Sequence, residues 1–422
     1  MIQKIHRILF SLIVFLIPLN IGKHFINSAS FVNSQYLDYL TPTLYGIDIL
    51  IFLLIIFWFI DGGLNQLLTS KHLRLVFVFI VVLLPSMVIA PRASASVYFF
   101  STLLLRLGLL FYASCLELNT KNFKKLGKLI CFSIIFLSIL AFGQWLQQGS
   151  VFDNYLVFGE QPYDATTFGV ARASVFGRIR IPVYGTFRHP NVFAGYLSIC
   201  LVWLWYLIAF EKKDLISIAA FLVGFCSLVL TFSQVALLTF ILGVVFLWVL
   251  KRFGAEGLFF SVVIVGILFL SSLLLPYLSD STSLGNSPSF YRRSNLLKSA
   301  NMMLDESSLF GVGMNNFVVA SPRFLPQSQI LIFNQPVHNI FVLILAESGI
   351  FAFLTYFSLF IYAGFTALKR EFGVSTLLFV SLLQFIILGC FDHYVYTIHQ
   401  TQILFWLTIG LALSYTKVDA QL

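Results

Sequence analysis

Twelve long apolar runs dominate this chain and limit what it can fold into. An α-helix needs about 20 apolar residues to cross the roughly 30 Å hydrocarbon core of a bilayer. Only 10% of the residues are charged, whereas about 25% are charged in an ordinary soluble domain, so a water-soluble globule is excluded. We expect a single all-α membrane domain over residues 1–422 with about 12 transmembrane helices, near residues 5–22, 43–60, 73–90, 96–116, 127–147, 190–210, 214–231, 234–250, 257–276, 338–366, 373–390 and 400–416.

The first apolar run has two interpretations. Lys4 and Arg7 precede it, and Ser28-Ala29-Ser30 resembles the cleavage site of a secretory signal peptide. Because many more hydrophobic segments follow, we favour an uncleaved first span over a cleaved signal.

The basic residues differ in kind between the two sets of loops. With a cytoplasmic amino terminus, the inner segments hold eleven Lys and four Arg, as the positive-inside rule requires. The outer segments and the spans hold two Lys and nine Arg. Arg presents a planar fork that binds phosphate in two-point fashion, so this bias predicts an anion site on the outer face. The alternative is that Arg simply packs better than Lys in folded loops. The basic residues form no long tract, which argues against a nucleic-acid partner.

Two outer segments are long enough to carry a site. The first, residues 148–189, is rich in Gly, Arg and aromatic side chains that could stack on sugar rings: Phe152, Tyr155, Phe158, Tyr163 and Phe168. The second is a large loop between spans 9 and 10, residues 277–337. In it, Ser287 and Pro288 predict the start of a surface helix. Apolar residues recur at helical spacing in that helix: Leu296, Leu297, Ala300, Met303 and Leu304.

His338 and the pair Arg292-Arg293 are the candidate catalytic groups of the second loop. An imidazole at a water-facing membrane edge can take a proton from an attacking hydroxyl near neutral pH, although a His in this place is also a common polar cap. Two guanidinium groups could bind the diphosphate of a lipid-linked substrate, or only the head groups of ordinary lipids.

A second cluster of polar residues precedes the span at 190–210. A turn explains Gly185, Pro190 and Asn191, but it does not require the charge of Arg188 or the imidazole of His189. Within the spans, Asp48, Arg106 and Glu347 are costly to bury, which predicts an internal ion pair, with the partners left open.

The chain lacks the sequence motifs of several common cofactor and metal sites. The chain contains no phosphate-binding loop of the G-x-x-x-x-G-K-[ST] type, no G-x-G-x-x-G after a strand and no H-E-x-x-H. Its five cysteines lie in apolar stretches, where thiols usually pack as small hydrophobes. We therefore expect no cofactor and no metal ion, and a transfer reaction would depend on arginine and histidine.

Together, these segments resemble the O-antigen ligase and O-antigen polymerase superfamily of polytopic membrane glycosyltransferases. Four patterns carry the resemblance, over roughly residues 180–365: G-T-F-x-H-P-N-x-x-A at 185–194, the Arg293 helix followed by Gly311-Val312-Gly313 and Asn315, the His338-Asn339 pair, and Glu347-Ser348-Gly349. Their order and spacing also match. The resemblance implies a GT-C-like helical bundle that acts in polysaccharide biosynthesis of the cell envelope.

The resemblance also implies a reaction. Such enzymes take a glycan from a polyprenyl (undecaprenyl) diphosphate at the outer face of the cytoplasmic (inner) membrane and join it to an acceptor, with inversion and without a metal. By resemblance, His338 is the catalytic histidine and Arg293 is the loop arginine that contacts the diphosphate. The expected substrate-binding residues are Arg292, Arg188, His189, Asn191, Gln234 and Asn339.

The chain departs from the family pattern at Ser233-Gln234-Val235, where relatives typically have Ser-Arg-Gly. Gln234 keeps a hydrogen-bond donor but loses a charge that strengthens a phosphate contact. Because Arg188 stands where relatives often have glycine, we hypothesise that it supplies the lost charge. That hypothesis predicts that Gln234→Arg rescues Arg188→Gly.

The sequence leaves the acceptor open. A ligase, a polymerase and a protein glycosyltransferase differ in their acceptor, which can be a lipid, a glycan or a protein. The acceptor group can be a hydroxyl or an amide. Two other classes also fit: a transporter or flippase of lipid-linked oligosaccharide, and an inactive relative that only binds lipid-linked sugars. Transporters tend to show related halves and charges at the midplane, whereas here no repeat is visible and the charge chemistry gathers at the outer edge.

Overall fold

A computed structural model describes residues 1–211, 214–274, 288–325, 334–370 and 372–414. Eight of its helices are long and apolar enough to cross a membrane: Gly46–Thr69, Ala93–Ser114, Thr120–Gln147, Pro190–Phe210, Gln234–Phe253, Ala255–Leu273, Ile340–Leu368 and Val374–Phe391. Two more apolar helices, Leu73–Ile89 and Leu215–Leu230, are shorter. Helices Ile2–Leu16 and His399–Leu413 fall on the first and last predicted runs. The chain is therefore a polytopic helical membrane protein, and a count of twelve crossings stays a prediction.

Three helices form the centre of the bundle. Pro190–Phe210, Val374–Phe391 and His399–Leu413 bury nearly all of their side chains, because other helices surround them on every face. At the periphery, Ala255–Leu273 exposes most of its apolar surface, as expected of a helix that faces lipid.

The expected all-α fold needs a correction, because three two-stranded antiparallel ribbons lie in the loops. Strands Gly22–His24 and Thr43–Tyr45 pair with each other, and the ribbon of Phe31–Val32 with Gln35–Tyr36 is nested between them. We call residues 22–45 the nested hairpin. The third ribbon pairs Ala173–Val175 with Arg178–Arg180. Ribbons satisfy backbone groups in loops that are too irregular for a helix.

The helix at Pro288–Glu306, which contains Arg293, starts where the sequence predicts, and Ser287, its expected cap, lies outside the described residues. Leu296, Leu297, Ala300 and Met303 are buried. This stripe packs on helix Ile340–Leu368, so the helix is fixed to the bundle through its apolar face.

The structure identifies the two partners of the internal ion pair that the sequence predicted. Arg106 contacts Asp48 at 2.5 Å, and both side chains are buried. Glu347 takes no cation as a partner among the described residues. Its carboxylate accepts backbone N–H groups of Asn315 and Phe317 at 3.0 and 2.9 Å.

Basic groups of the predicted inner loops and the candidate site lie at opposite ends of the bundle, whereas Lys23 lies in the nested hairpin and Lys298 in the helix of Arg293. One end holds the ion pairs His6–Asp61 and Lys124–Glu211, together with a groove lined by Lys4 and Arg7. The other end holds the nested hairpin, Arg188 and His338. The loop charges predict that the first of these ends is cytoplasmic, and the orientation in the membrane stays a prediction.

Candidate active site

Asn339 fixes the start of the helix that follows His338. Its side-chain oxygen accepts N–H groups from Phe341 and Val342 at 3.0 and 3.1 Å, as a helix N-cap does. Its amide nitrogen donates to Ser272 and to the Cys390 carbonyl at 2.9 and 3.3 Å. Protein groups occupy both ends of this buried amide, so Asn339 fixes the backbone next to His338, and its expected role in substrate binding stays a prediction.

The same helix breaks at Gly349. Its backbone has φ +78°, and a Cβ built there would lie 2.0 Å from the Leu309 carbonyl oxygen. Only glycine fits this conformation and this close approach. The break bends helix Ile340–Leu368 beside the loop that follows the Arg293 helix.

Backbone hydrogen bonds join that loop to the break. Gly311 and Gly313 also have positive φ, and a Cβ at Gly311 would overlap the Glu347 backbone at 2.3 Å. Three backbone N–H groups donate to carbonyl oxygens of the other segment. The hydrogen bonds run from Val312 to Ala346 at 2.8 Å, from Gly313 to Glu347 at 3.0 Å, and from Ile350 to Ser308 at 3.0 Å. The glycine motifs at 311–313 and 347–349 therefore form one structural lock. It sets the Arg293 helix relative to the His338 helix.

Arg293 and His338 line one small cavity, together with Ser272, Leu297 and Asn339. Among the described residues, no carboxylate forms an ion pair with Arg293. Its charge nevertheless acts on Asp392 and on the histidines around it. A partly buried guanidinium without a carboxylate partner is suited to an anionic group of a ligand.

His338 also lines a larger cleft of about 330 Å³. The nested hairpin, Arg188, His189 and Asn191 contribute to this cleft, as do Asp392 and His393. Its volume lies at the lower end of the range of about 300–1,000 Å³ that is usual for small-ligand sites. His338 thus stands between the Arg293 cavity on one side and the cleft on the other.

Asp392 and His393 were not singled out from the sequence. The His338 and His393 rings lie 5.2 Å apart, edge to face, and Asn191 donates to Asp392 at 3.5 Å. A signal was available: Asp392-His393 sits between the last two predicted spans, so its loop opens at the same end as His338.

Burial and charge set the protonation of this group. Burial lowers the pKa of His338 to about 3, and the positive charge of His393, Arg293 and His189 adds to the effect, whereas Asp392 opposes it. Burial also opposes ionisation of Asp392, but the facing histidines and Arg293 hold its pKa below the usual range. At neutral pH the group is a neutral imidazole beside a carboxylate. His338 Nδ1 is buried and has no hydrogen-bond partner among the described residues.

The same trio could hold a metal ion. The ligand atoms of His338, Asp392 and His393 all lie within 4.8 Å of one another, and imidazole with carboxylate suits several divalent cations. The sequence contains no motif that predicts such a metal site, because His338 and the pair Asp392-His393 come from two loops more than fifty residues apart.

Arg188 and His189 line the larger cleft, whereas Arg293 lines the small cavity. Arg188 pairs with Asp38 at 2.8 Å and donates to Tyr45 and His24 at 3.0 and 3.1 Å. His189 caps helix Pro190–Phe210 through Nδ1, which accepts the N–H of Asn191 at 3.1 Å. The sequence did not predict that Asp38 pairs with Arg188, because the loop that holds Asp38 is short and distant from Arg188 in the chain.

Other expected residues lie apart from the cleft. Gln234 is exposed at the start of its helix, and neither it nor Arg292 lines the two cavities within the described parts of the chain. None of the five aromatic residues expected from the loop at 148–189 lines the cleft. The aromatic side chains that do are Tyr36, Tyr39 and Tyr394.

The comparison with protein families agrees with the resemblance. Residues 219–357 match the family described as O-Antigen ligase (Wzy_C). A comparison with curated proteins finds no match. The matched segment contains Arg293 and His338, whereas Asp38, Arg188 and Asp392 lie outside it.

Proposed function

We propose that the chain transfers a glycan from a polyprenyl diphosphate carrier to an acceptor hydroxyl. The match of residues 219–357 to the O-antigen ligase family supports an enzyme of that class. The observation that carries this proposal is the position of His338, which lines both the Arg293 cavity and the larger cleft. The catalytic region extends beyond residues 180–365, to the nested hairpin and to Asp392.

Arg293 binds the diphosphate of the donor. It is the guanidinium on the cavity side of His338, and among the described residues no ion pair neutralises it. Arg292 is adjacent in sequence, partly buried, and its Nε has no hydrogen-bond partner among the described residues, so it can assist from the same helix. Guanidinium groups strengthen their hold as charge develops on the departing diphosphate, which lowers the barrier.

His338 acts as the general base. The neutral imidazole accepts the proton of the acceptor hydroxyl, whose oxygen forms a bond to the anomeric carbon. The bond from that carbon to the diphosphate oxygen breaks, and the oxygen leaves with the electron pair. Attack from the side opposite the leaving group inverts the anomeric centre. Asp392 stabilises the imidazolium that forms.

We place the active site on the extracytoplasmic side of the cytoplasmic membrane. The support is the gathering of lysines at the end of the bundle opposite His338, which the positive-inside rule assigns to the cytoplasm. The donor then meets the enzyme in the outer leaflet.

A release assay tests this function. The purified chain is reconstituted in proteoliposomes, and lipid-linked glycan from the source membranes is supplied on the outer side. We expect free polyprenyl diphosphate from the wild type and near-complete loss in His338→Ala, with His72→Ala as a histidine control at the opposite end. Movement of intact donor across the bilayer without release would identify a flippase instead.

A chelator arm of the same assay addresses the trio of possible ligands. Unchanged release supports acid–base chemistry by His338. Inhibition that added divalent metal reverses would assign His338, Asp392 and His393 to a metal site and would overturn the metal-free reaction.

A further inference from the structure

The nested hairpin forms part of the wall of the larger cleft, which Arg293 does not line among the described residues. Tyr36, Asp38 and Tyr39 line the cleft. The hairpin is anchored on two sides: Asn315 donates to the Tyr39 carbonyl at 2.9 Å, and Arg92 donates to the Ala29 carbonyl at 2.6 Å. This wall is therefore held in place, although its sequence shows no recognised motif.

Arg188 is the most extensively bonded cation of this wall. Asp38, Tyr45 and His24 hold its guanidinium, and its side chain is 14% exposed. The Asp38 side chain is more open, at 35%, so an edge of the ion pair faces the cleft.

The pairing of Arg188 determines which ligand suits it. A guanidinium neutralised by a carboxylate attracts a phosphate weakly, because the carboxylate repels the anion. A sugar hydroxyl both donates and accepts hydrogen bonds. The pair offers an acceptor in Asp38 and donors in Arg188, which matches adjacent hydroxyl groups.

An exposed aromatic pair adjoins these polar groups. Tyr36 is 40% exposed, and its ring lies 5.8 Å from that of Phe31, edge to face. The ring of Tyr36 thus offers an apolar surface at the cleft, and the C–H face of a sugar is apolar.

The position of His338 separates donor from acceptor. A base must face the hydroxyl that it deprotonates, while the leaving diphosphate lies on the other side of the anomeric carbon. Because Arg293 lies in the small cavity and the nested hairpin in the larger cleft, the cleft receives the attacking hydroxyl.

We propose that Asp38, Arg188 and Tyr36 form the subsite for the acceptor, and that the acceptor is a saccharide. This inference rests on the proposed function and narrows it, because it favours a ligase or polymerase that builds on sugar over a protein glycosyltransferase. It also replaces the hypothesis that Arg188 supplies a phosphate contact.

Steady-state kinetics in proteoliposomes test the subsite. The donor is the extracted lipid-linked glycan, and the acceptor is the glycolipid fraction of the same membranes. We expect Asp38→Asn and Arg188→Gln each to raise the acceptor concentration for half-maximal release by about tenfold, the loss that a hydrogen bond to a charged group implies. The KM for the donor should not change.

Farnesyl diphosphate serves as a probe of the donor side. Its inhibition constant should be unchanged in Asp38→Asn and Arg188→Gln and weakened in Arg293→Gln. The matched controls are Glu306→Gln and Arg323→Gln, which break an exposed ion pair of 2.9 Å on the other large loop. Both should behave as wild type.

The outcomes separate the subsite from the proposed function. A higher donor KM or weaker farnesyl diphosphate inhibition in Arg188→Gln would make Arg188 a phosphate contact and overturn the subsite. Unchanged acceptor kinetics in Asp38→Asn, an isosteric change, would also overturn it. If the wild type releases no carrier at all, the proposed function fails, and the subsite fails with it.

Discussion

The small cavity and the larger cleft beside His338 hold their arginines in different ways. In the small cavity, Arg293 has no ion-pair partner among the described residues, and a glycine-based backbone lock fixes its helix relative to His338. In the larger cleft, the nested hairpin supplies Asp38 as the partner of Arg188 at 2.8 Å. An unpaired guanidinium suits a diphosphate, whereas a paired one suits hydroxyl groups. We therefore propose that the same residue type serves two ligand chemistries here, and that its neighbours decide which.

The two sites also differ in their relation to the family. Arg293, His338 and the lock lie within residues 219–357, the matched segment. The nested hairpin and Arg188 lie outside it. Asn315 connects the nested hairpin to the lock, since it donates to the Tyr39 carbonyl and to the Glu347 carboxylate.

The largest effect should come from breaking the lock. Gly349→Ala places a Cβ 2.0 Å from the Leu309 carbonyl oxygen at φ +78°, and a left-handed backbone alone costs roughly 1–3 kcal/mol. We expect a melting temperature lower by several degrees, measured on the solubilised protein, and loss of carrier release. Gly266→Ala is the control, because nothing lies within 4 Å of its added Cβ. Equal melting temperatures for the two variants would show that the lock does not hold the site.

Asp392→Asn should reduce carrier release by about 100-fold, within the range for groups in proton transfer. The change is isosteric, but it removes the carboxylate that stabilises the His338 imidazolium. Farnesyl diphosphate inhibition should be retained, because Arg293 remains. A variant with wild-type turnover would remove Asp392 from the reaction.

The pH profile sharpens the assignment of His338. The pKa of this imidazole is lowered to about 3, so it stays neutral and able to accept a proton well below the ordinary histidine value of about 6.5. Asp392 raises this pKa, whereas burial, His393, Arg293 and His189 lower it. We expect kcat/KM for the donor to be flat from pH 8 down to at least about pH 6. An acid limb with a midpoint near 6.5 would point to an unshifted histidine as the base.

The smallest effect concerns Gln234. Because Gln234 is exposed and does not line the cleft among the described residues, Gln234→Arg alone should change release by less than about twofold, as for most surface substitutions. With Asp38 as the partner of Arg188, we expect Gln234→Arg not to restore activity to Arg188→Gly. Restored release in that double variant would support the original hypothesis of a displaced phosphate contact.

Much of the frame of this molecule follows from its sequence. Apolar run length gives the positions of the membrane helices, and helical spacing gives the Arg293 helix with its buried stripe of Leu296, Leu297 and Ala300. The resemblance also names Arg293 and His338, which the structure brings to one cavity. The predictions of the helices succeed because they depend on local periodicity, whereas the roles of Arg293 and His338 stay predictions.

The contacts between distant segments could not be predicted. Asp38 and Arg188 are 150 residues apart, and Asp392 reaches His338 from another loop, so no local pattern encodes either contact. The glycine motifs suggested turns, but their shared role appears only when Gly311 and Gly349 approach the same backbone. The sequence does not predict the nested hairpin, because its strands are too short to show a periodic pattern of apolar residues.

The most direct test of the account separates binding from chemistry in two variants, His338→Ala and Arg293→Ala. The measurement is farnesyl diphosphate affinity beside the rate of carrier release, both in lipid. The account predicts that His338→Ala binds farnesyl diphosphate as tightly as the wild type but releases almost no carrier, whereas Arg293→Ala loses both. Wild-type release by His338→Ala, or wild-type affinity in Arg293→Ala, would contradict it.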